Sequence, residues 1–542
     1  MNQQTENPIF IGAAWPYANS SLHLGHIAAL LPADILARFY RLKGNPVLFV
    51  SGSDCHGTPI TIEAEKQKIK PKEIAEKFHQ QFKKNLCKEL NFSYDLYTKT
   101  DSKFHQQEVQ KIFLKLYKKK LIYKKAVELP YCECCKKFLP DRFIEGKCPI
   151  CQSKDARGDQ CDHCGSLLDP KELQDSRCKL CEAGPVWKKS THFFLKLSHF
   201  KPALRKWIIA QKYWKKNAKE FTLNLLAKEL KDRAITRDIE WGVKIPFKGY
   251  QDKRIYVWFE AVCGYLTASK KWAKIHNQSW KKFWQNKNAY HFYVHGKDNI
   301  IFHTIVWPSI LMVLEKLHLP DQIVSSEYLN LEGKQFSKSR QWAVWLPDFL
   351  KKYPADSLRY YLTINAPESH DANFIWQDFF EKNNKELVGT LGNFIQRSLS
   401  LIKNNFNSQV PDYKDLSFAD RTLLQNTKKI FQKIENLLQK NQFKKALREI
   451  FILSKEANQY IDFQAPWKKI KQGKLKEAKN CLYVCAQISA NLAILISPFF
   501  PQATKKLEKI FNLKNQAWQF IELKSGSKIN KLKPLFKKLE KI

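Results

Sequence analysis

The sequence predicts an α/β protein in which a doubly wound parallel sheet is interrupted by a cysteine-rich insertion and followed by a helical bundle. Apolar runs at residues 9–14 and 47–50 each end in turn and polar residues, as buried parallel strands do. Most of the 14 cysteines fall between residues 129 and 185, and beyond residue 383 the apolar positions recur at helical spacing. Strands that end in polar residues are typical of a Rossmann-type sheet, whose ligands bind at the carboxyl ends of the strands.

Length and charge limit the possible classes of protein. A chain of 542 residues is too long for one core and indicates three or four units. The formal charge of +40 suits a polyanionic partner such as nucleic acid. Most of the basic residues are Lys rather than Arg, so a general drift of composition toward Lys explains the charge equally well. The sequence has neither a membrane-length apolar run nor a signal peptide, which predicts a cytosolic protein.

The first strand runs into a helix that begins near Leu24, and two histidines lie at its first turn. His23 and His26 are three residues apart, so both rings can face one side. Gly25 between them allows a base or ribose to approach the backbone. Because helix N-termini attract anions and imidazoles donate hydrogen bonds, the pair predicts a phosphate site. A histidine pair that only satisfies local packing remains the alternative from these residues alone.

The second apolar run ends at Asp54, between two glycines. A buried carboxylate at the end of a strand could receive a substrate ammonium group, although a helix N-cap explains the residue equally well. Residues 60–125 then alternate charged and apolar positions at helical spacing and are predicted to be helical.

The cysteines form four CxxC pairs, and this spacing is the most specific signal in the chain. Two such pairs make a closed, tetrahedral zinc site of the structural kind, whereas redox motifs do not occur four at a time. The inner pairs predict a first zinc site and the outer pairs a second. The ligands are Cys148, Cys151, Cys161 and Cys164 for the first site and Cys132, Cys135, Cys178 and Cys181 for the second.

After the insertion, apolar runs at 255–259 and 290–298 predict two further buried strands, which resume the sheet. Lys338, in a Ser-Lys-Ser loop, is a candidate phosphate-binding residue or a solvated loop lysine. Trp258, Tyr265 and Trp307 could line an apolar pocket or simply pack in the core. The chain ends in amphipathic stretches that predict a helix bundle, followed by a Lys-rich segment with few apolar anchors that is predicted to be loosely packed.

Two motifs join these signals. The HLGH sequence at 23–26, preceded by PYAN at 16–19, and the SKS sequence at 337–339 resemble the HIGH and KMSKS signatures of class I aminoacyl-tRNA synthetases. Longer stretches resemble the methionyl-tRNA synthetases in particular, and the likeness runs from about residue 8 to 500. These stretches are SDCHGTPI at 53–60, FLPDRF at 138–143, YVWFEAVCGY at 256–265, HFYVHGKDNIIFHTIVWP at 291–308, DSLRYYL at 356–362 and QAPW at 464–467.

The resemblance implies a role for each matching residue. His23, His26 and Lys338 would be the catalytic residues, and ATP would be bound by these three with Gly25, Gly296 and Asp298. Asp54 would receive the methionine ammonium, with Arg237 nearby as a supporting residue. The remaining methionine-binding residues would be Tyr17, Trp258, Ala261, Tyr265, His303 and Trp307. Asn393, Arg397 and Trp467 would read the anticodon, the indole serving as a stacking platform.

The resemblance also implies the activity and its partners. ATP would activate L-methionine to methionyl-adenylate, which is transferred to the 3′ end of tRNA(Met) for initiation and elongation of translation. Mg²⁺ would accompany ATP, and one or two Zn²⁺ ions would be structural. Because the sequence ends after the bundle, without an appended dimerisation domain, a monomer is expected. The alternatives are a class I synthetase for another apolar amino acid, such as leucine, valine or cysteine, and a catalytically silent tRNA-binding relative.

The same likeness divides the chain into units. Residues 1–116 and 248–325 are predicted to be the two halves of the Rossmann catalytic domain, and 117–247 the connective-peptide insertion with zinc knuckles at 132–181. Residues 326–385 are predicted to be a stem-contact region with the KMSKS-like loop, 386–520 a helical anticodon-binding domain, and 521–542 a Lys-rich tail.

The sequence departs from the family pattern at a few positions. Gln335 and Phe336 replace the first lysine and the methionine of KMSKS, which bears on loop motion and rate. Trp15 stands where leucine is usual beside the pocket. Val262 and Cys263 replace a more usual proline and aliphatic pair, so a reshaped pocket wall is expected.

Overall fold

A computed structural model of the chain describes residues 7–140, 143–161, 163–166, 168–314, 316–337, 341–531 and 533–540. The strands, in chain order, are β1 Ile9–Ala13, β2 Val47–Ser53, β3 Leu96–Lys99, β4 Ile122–Cys132, β5 Lys137–Phe138, β6 Ile144–Lys147, β7 Ala156–Arg157, β8 Gln174–Cys178, β9 Val186–Leu195, β10 Arg233–Ala234, β11 Thr236–Arg237, β12 Arg254–Ile255, β13 Tyr290–Gly296, β14 Gln322–Ser326, β15 Leu329–Leu331, β16 Lys334–Gln335 and β17 Ala372–Phe374.

The helices, in chain order, are α1 Leu24–Leu42, α2 Thr58–Gln67, α3 Pro71–Lys83, α4 Lys103–Lys118, α5 Leu197–Ala210, α6 Lys216–Ala227, α7 Val257–His276, α8 Lys281–Trp284, α9 Trp307–Val313, α10 Leu346–Lys352, α11 Ala355–Ile364, α12 Trp376–Lys382, α13 Asn393–Asn405, α14 Phe418–Gln439, α15 Phe443–Gln464, α16 Pro466–Lys471, α17 Leu475–Leu495 and α18 Pro501–Phe511. Wider π-helical turns form at Lys84–Glu89, Phe302–Val306 and Asn383–Gly392. No helix within the described ranges is long and apolar enough to span a membrane.

The predicted doubly wound sheet is confirmed. Its five strands lie in the order β14-β13-β1-β2-β3, and every neighbouring pair is parallel. The strand order reverses at β1, because the chain adds β2 and β3 on one side and β13 and β14 on the other. In such sheets ligands bind at the carboxyl ends of the strands beside this reversal. All five residues of β1 are buried, as expected of a parallel strand covered on both faces.

The insertion between β3 and β13 forms separate antiparallel sheets. β4 and β9 pair along ten residues, from Ile122 opposite Leu195 to Tyr131 opposite Val186. β6, β7 and β8 form a small sheet next to the cysteine pairs. The buried core of this part consists largely of cysteines together with Leu139, Phe143, Ile144 and Leu173, which is a small apolar core for an independent unit.

Three local predictions were wrong. The expected strand at 255–259 is the start of helix α7, since only Arg254–Ile255 is extended. Most of α7 is buried, so it lacks the polar face that marks a helix, and short apolar runs do not separate the two states. The predicted helical stretch 60–125 contains strand β3. The tail is packed rather than loose, because isolated apolar residues insert into the bundle, namely Trp518, Leu523, Ile529, Leu535 and Leu539.

The helical part that follows the sheet packs against it around one buried ion pair. Arg359 of α11 and Asp34 of α1 are both fully buried, with Nη2 and Oδ2 2.7 Å apart. Arg359 also donates to the carbonyl oxygens of Pro498 (3.0 Å) and Phe499 (2.6 Å), which follow α17. One guanidinium therefore ties α1, which packs on the parallel sheet, to the bundle. The boundaries given above for the individual units stay predictions.

Candidate active site

The two histidines of HLGH lie together at the start of α1. The backbone N–H of His23 donates to Nδ1 of His26 over 3.0 Å, and the two ring centroids are 3.7 Å apart. Because Nδ1 of His26 accepts this bond, the proton of its neutral ring is on Nε2, where it can donate to a phosphate oxygen. A Cβ atom at Gly25 would lie 3.0 Å from the His23 ring, so a larger residue there would press on the ring in this position.

The KMSKS-like loop reaches the same histidines. The backbone N–H of Leu24 donates to the carbonyl of Val344 (3.2 Å), and His23 forms an isolated β-bridge with Trp345. Phe336 stacks on the His23 ring with centroids 4.8 Å apart. Lys338 lies outside the described residues, so its role stays a prediction. The loop segments on both sides of it are held against the HLGH motif.

Asp54 lies at the end of β2, is 4% exposed and forms a β-bridge with Tyr17. Its Oδ1 accepts only long hydrogen bonds, from the His56 backbone and from the Thr100 hydroxyl, each 3.4 Å. Burial, and then the nearby carboxylate of Glu260, hold the pKa of Asp54 well above its usual range. Among the described residues no cationic side chain forms an ion pair with Asp54, and a bound ammonium group would supply that positive charge.

Aromatic side chains from α7, from the wide turn before α9 and from α9 itself come together where the methionine pocket is predicted. Trp258 meets Tyr17 edge-on, with centroids 6.2 Å apart, and stacks on Phe302 at 3.9 Å. Ala261 lies one helical turn from Trp258, and Tyr265 follows one turn later. Trp307 is fully buried behind Tyr265, with centroids 6.5 Å apart.

His303 closes this pocket as a neutral ring. Its Nδ1–H donates to the carbonyl of Asn299 (2.9 Å), so Nε2 accepts from the Tyr265 hydroxyl at 2.7 Å. Burial lowers the pKa of His303 to about 4. The pocket wall therefore carries no charge near neutral pH and offers a hydrogen-bonded, polarisable surface to an uncharged side chain.

Trp15 fits beside the pocket because two glycines make room for it. A Cβ atom at Gly52 would lie 2.4 Å from the indole ring, and one at Gly264 would lie 2.8 Å from it. The larger side chain at this position is thus matched by small ones on β2 and α7. Val262 and Cys263 are both buried in α7 on the same side of the sheet.

The predicted ribose-binding residues follow β13. Gly296 is the last residue of the strand, and Asp298 lies in the short turn Lys297–Asn299. A Cβ atom at Gly296 would lie 2.8 Å from Oδ1 of Asp298, so the carboxylate folds back over the glycine. β13 is the neighbour of β1, which places both residues beside the strand-order reversal and the HLGH motif.

The cysteines form two separate groups with the predicted membership. In each group the four sulfur atoms lie within 4.8 Å of one another. The S···S distance is 3.4 Å between Cys132 and Cys181 and 3.9 Å between Cys148 and Cys164. Four ligands at the usual Zn–S distance would be about 3.8 Å apart, so both groups fit a tetrahedral zinc ion. Two four-cysteine groups that could hold zinc are thus present.

The predicted anticodon-reading residues meet on one face of the bundle. Arg397 pairs with Asp462, with Nη2 and Oδ1 2.6 Å apart, and lies 5.5 Å from the centre of the Trp467 ring. Asn393, one turn earlier on α13, donates to Asn458 of α15 over 3.3 Å. These contacts bring three residues from two helices, α13 and α16, into one surface.

Comparisons with known proteins agree with this geometry. A family model described as tRNA synthetases class I (M) matches residues 9–399, and one described as the anticodon binding domain of methionyl tRNA ligase matches residues 410–541. Methionine–tRNA ligase 1 of Alkaliphilus oremlandii is 44% identical, covering 98% of this chain and 97% of that protein. Methionine–tRNA ligase of Streptococcus pneumoniae is 46% identical, covering 98% and 96%. The chain belongs to the methionyl-tRNA synthetase family.

Solved structures show the same fold. Mycobacterium tuberculosis methionyl-tRNA synthetase bound by methionyl-adenylate matches with a TM-score of 0.82 at 23% identity, covering 98% of this chain and all of that one. The apo form of the same enzyme matches with a TM-score of 0.75. The predicted membership of the methionyl-tRNA synthetase family and the predicted fold class are therefore both confirmed.

In this member of the methionyl-tRNA synthetase family, the cysteine-rich insertion is connected directly to the helix of the predicted pocket. The Tyr256 hydroxyl donates to Asp159, two residues before the ligand Cys161, over 3.0 Å. Tyr256 precedes α7, the helix that carries Trp258, and the Arg237 guanidinium lies 3.8 Å from the centre of its ring. The first cysteine group thus supports both the pocket helix and Arg237.

Sequence reasoning missed the buried pair of His56 and Glu260. His56 Nδ1 and Glu260 Oε1 are 2.5 Å apart, and both side chains are almost fully buried. Burial raises the pKa of Glu260, whose charge in turn acts on Asp54. Both residues belong to the stretches that carry the methionyl-tRNA synthetase resemblance, at 53–60 and 256–265, which was the available signal.

Proposed function

We propose that the chain is a methionine–tRNA ligase, which uses ATP to activate L-methionine and transfers it to the 3′ end of tRNA(Met) for initiation and elongation. The observation that carries this proposal is the uncompensated, buried carboxylate of Asp54 next to an uncharged aromatic pocket. A zwitterionic amino acid with a flexible apolar side chain matches both parts, because its ammonium supplies the missing charge and its side chain fills the pocket.

The proposed reaction has two steps. The methionine carboxylate attacks the α-phosphorus of ATP in line, which forms methionyl-adenylate and releases pyrophosphate. The ribose hydroxyl at the tRNA 3′ end then attacks the adenylate carbonyl, which forms the ester and releases AMP. No protein nucleophile takes part. His23 and His26 donate to phosphate oxygens, and stabilisation of this kind contributes about 2 to 4 kcal/mol for each well-placed donor.

The remaining ATP contacts are part of the same proposal. Gly25, Gly296 and Asp298 border the nucleotide at the carboxyl ends of β1 and β13, and Lys338 acts on the pyrophosphate side. Mg²⁺ is proposed to bind with ATP and to neutralise charge on its phosphates. The other class I alternatives fit less well, because the relatives that match over nearly the whole chain are methionine–tRNA ligases.

Selectivity is proposed to come from the pocket wall. Trp258 and Tyr265 offer aromatic surface to a thioether, for which sulfur–aromatic contacts are favourable. The Tyr265 hydroxyl is held by the neutral His303, so the wall keeps one orientation. Apolar pockets separate ligands that differ by one methylene by only about 1 to 3 kcal/mol, so homocysteine is expected to be partly activated.

The tRNA is proposed to be selected at the anticodon by Asn393, Arg397 and Trp467. The proposed functional unit is a monomer acting in the cytoplasm, since one chain carries both the catalytic residues and the anticodon-reading residues.

Both cysteine groups are proposed to hold structural zinc. Metal analysis is then expected to find about two zinc atoms per chain. Cys161→Ser should lose one zinc, whereas Cys134→Ser, an exposed cysteine between two ligands, should lose none. An iron–sulfur absorption band would contradict the assignment.

The decisive experiment is amino-acid-dependent exchange of labelled pyrophosphate into ATP. Exchange that requires methionine is the expected result. Exchange with leucine but not methionine would overturn the proposed substrate, and no exchange with any amino acid would favour the silent tRNA-binding relative. Charging of tRNA(Met), compared with a tRNA of altered anticodon, then tests the second step.

A further inference from the structure

Two phenylalanine side chains of the helical part are almost fully exposed. Phe463 is 83% exposed and Phe418 is 81% exposed, the highest values among the large apolar residues that are exposed in the described part of the chain. Neither ring packs against another aromatic ring within the described residues. Single exposed apolar residues are ordinary on protein surfaces. Whether these two indicate a binding surface therefore depends on where they lie.

Both rings lie at the same end of one helical hairpin. α14 and α15 run antiparallel, and their register is set by the pairs Lys433 with Glu449 (2.7 Å) and Asp420 with Tyr460 (2.6 Å). Continuing this register brings Phe418, the first residue of α14, level with the last turn of α15, where Phe463 lies. The two exposed rings therefore lie at the same end of the bundle.

This end of the hairpin is also where the anticodon-reading residues meet. Asp462, the residue before Phe463, pairs with Arg397, whose guanidinium lies over Trp467. α16 begins two residues after α15 ends and carries exposed lysines. Within the described residues Lys468, Lys471 and Lys474 form no ion pair. We call Phe418, Phe463 and these three lysines the hairpin-end surface.

We infer that the hairpin-end surface binds unpaired bases of the tRNA anticodon loop that neighbour the anticodon, with Phe463 and Phe418 as stacking platforms. The inference rests on the proposed function and extends the tRNA site beyond Asn393, Arg397 and Trp467. Exposed aromatic rings and exposed lysines at one end of a bundle are a combination that binds single-stranded nucleic acid, because bases stack on the rings while ammonium groups meet the phosphates. A binding site for a protein partner would instead be a continuous apolar patch, whereas here two separate rings are accompanied by charged side chains.

The test measures the affinity of the full chain for tRNA(Met) and for an RNA hairpin that carries its anticodon loop, at fixed salt. Phe463→Ala is expected to weaken binding of both RNAs by about 5- to 150-fold, the range for loss of one stacked base. Phe463→Leu should weaken binding as much, because it keeps apolar bulk but has no flat face. Phe463→Trp should stay within about twofold of the wild type, and Phe418→Ala should show a loss in the same direction.

Ile452→Ala is the matched control. Ile452 is 49% exposed on α15, and the eleven residues that separate it from Phe463 correspond to about 16 Å along the helix. Its replacement should leave RNA affinity unchanged. Thermal unfolding of each variant checks that the bundle is intact.

Three results would overturn the inference. The first is wild-type RNA affinity in both Phe463→Ala and Phe418→Ala, and the second is wild-type RNA affinity in Phe463→Leu. The third is a changed oligomeric state without a changed RNA affinity, because that result would assign the surface to a second copy of the chain. Failure of the proposed function is seen separately, because methionine-dependent pyrophosphate exchange by the wild-type chain involves no RNA.

Discussion

The imidazole ring of His23 stacks on the ring of Phe336, with centroids 4.8 Å apart and planes 9° from parallel. Phe336 stands where the methionine of the KMSKS pattern is expected, in the loop that leads to Lys338. His23 also touches His26 and forms a β-bridge with Trp345. The stack therefore joins the two motifs that are proposed to hold the ATP phosphates.

Replacing Phe336 should slow adenylate formation. Aromatic pairs contribute about 0.5 to 1.5 kcal/mol beyond their buried area, so Phe336→Ala is expected to lower kcat for pyrophosphate exchange by about 2- to 12-fold. KM for methionine should change little, because Phe336 does not line the aromatic pocket. Phe336→Tyr keeps the ring and serves as the control. Equal rates for the Ala and Tyr variants would show that the stack has no part in positioning His23.

Replacing Asp54 should weaken methionine binding. Asp54→Asn removes the charge that is proposed to meet the ammonium, and losing one partner of a buried charged pair costs about 2 to 5 kcal/mol. KM for methionine is then expected to rise by at least about 30-fold, with a smaller change for ATP. Asp252→Asn, a carboxylate with 71% side-chain exposure, is the control. Unchanged KM in Asp54→Asn would remove Asp54 from the methionine site.

The raised pKa of Asp54 also predicts pH-dependent binding. Below that pKa the carboxyl of the free protein is protonated, and it must lose the proton before it can pair with an ammonium. Methionine affinity should therefore rise with pH until Asp54 is ionised in the free protein, and binding at lower pH should release a proton. Calorimetry in two buffers of different ionisation enthalpy measures that release. Affinity and proton release that do not vary with pH would contradict the assignment.

Local patterns predicted much of this protein. The cysteine spacing predicted which cysteines come together in each group of four, and those two groups could each hold a metal ion. The polar residues after β1, β2 and β13 marked the carboxyl edge of the sheet, where the structure places His23, Asp54 and Gly296. The end of a strand can be recognised from local sequence. Parallel pairing then places the carboxyl ends of neighbouring strands at the same edge of the sheet, so no long-range contact has to be predicted.

Features that depend on distant contacts could not be predicted. The bond between His56 and Glu260 joins residues 204 positions apart, and the stack of Phe336 on His23 depends on loop placement. Helix α7 was mistaken for a strand because burial on most sides removes the polar face that identifies a helix. The packing of the tail was not predicted because its apolar residues are too widely spaced to show the periodicity of a helix or a strand.

The contact between Asp159 and Tyr256 predicts that the zinc insertion affects methionine binding. Tyr256→Phe removes the donated hydrogen bond but keeps the ring under Arg237, and Asp159→Ala removes the acceptor. Both variants should raise KM for methionine by a similar factor of about 2 to 10, and the double variant should be no worse than either single one. Zinc content should be unchanged. Strictly additive effects would show that the two residues act independently.

The buried pair of Arg359 and Asp34 predicts that the sheet and the bundle unfold together. Arg359→Met removes one of the two guanidinium partners of the buried Asp34 carboxylate, the other being Arg38, and breaking a buried pair costs about 3 to 5 kcal/mol in the free energy of unfolding. Thermal or urea unfolding should show this loss, with Arg41→Met, a partly exposed partner of Asp95, losing about 1 kcal/mol or less. A loss for Arg359→Met that is as small as for Arg41→Met would contradict the role assigned to the pair.

The same pair sets a direction for acid stability. Burial alone would raise the pKa of Asp34, but Arg38 and Arg359 outweigh it and lower that pKa from 3.8 to about 2. A lowered pKa means that the stabilisation is complete above the unfolded value and is lost as pH falls from about 4 toward 2. The loss is on the order of 2 kcal/mol at about 1.4 kcal/mol per pKa unit. Arg359→Met should show a smaller decrease in unfolding free energy over this interval than the wild type, and an unchanged acid dependence would show that Arg38 alone sets the pKa of Asp34.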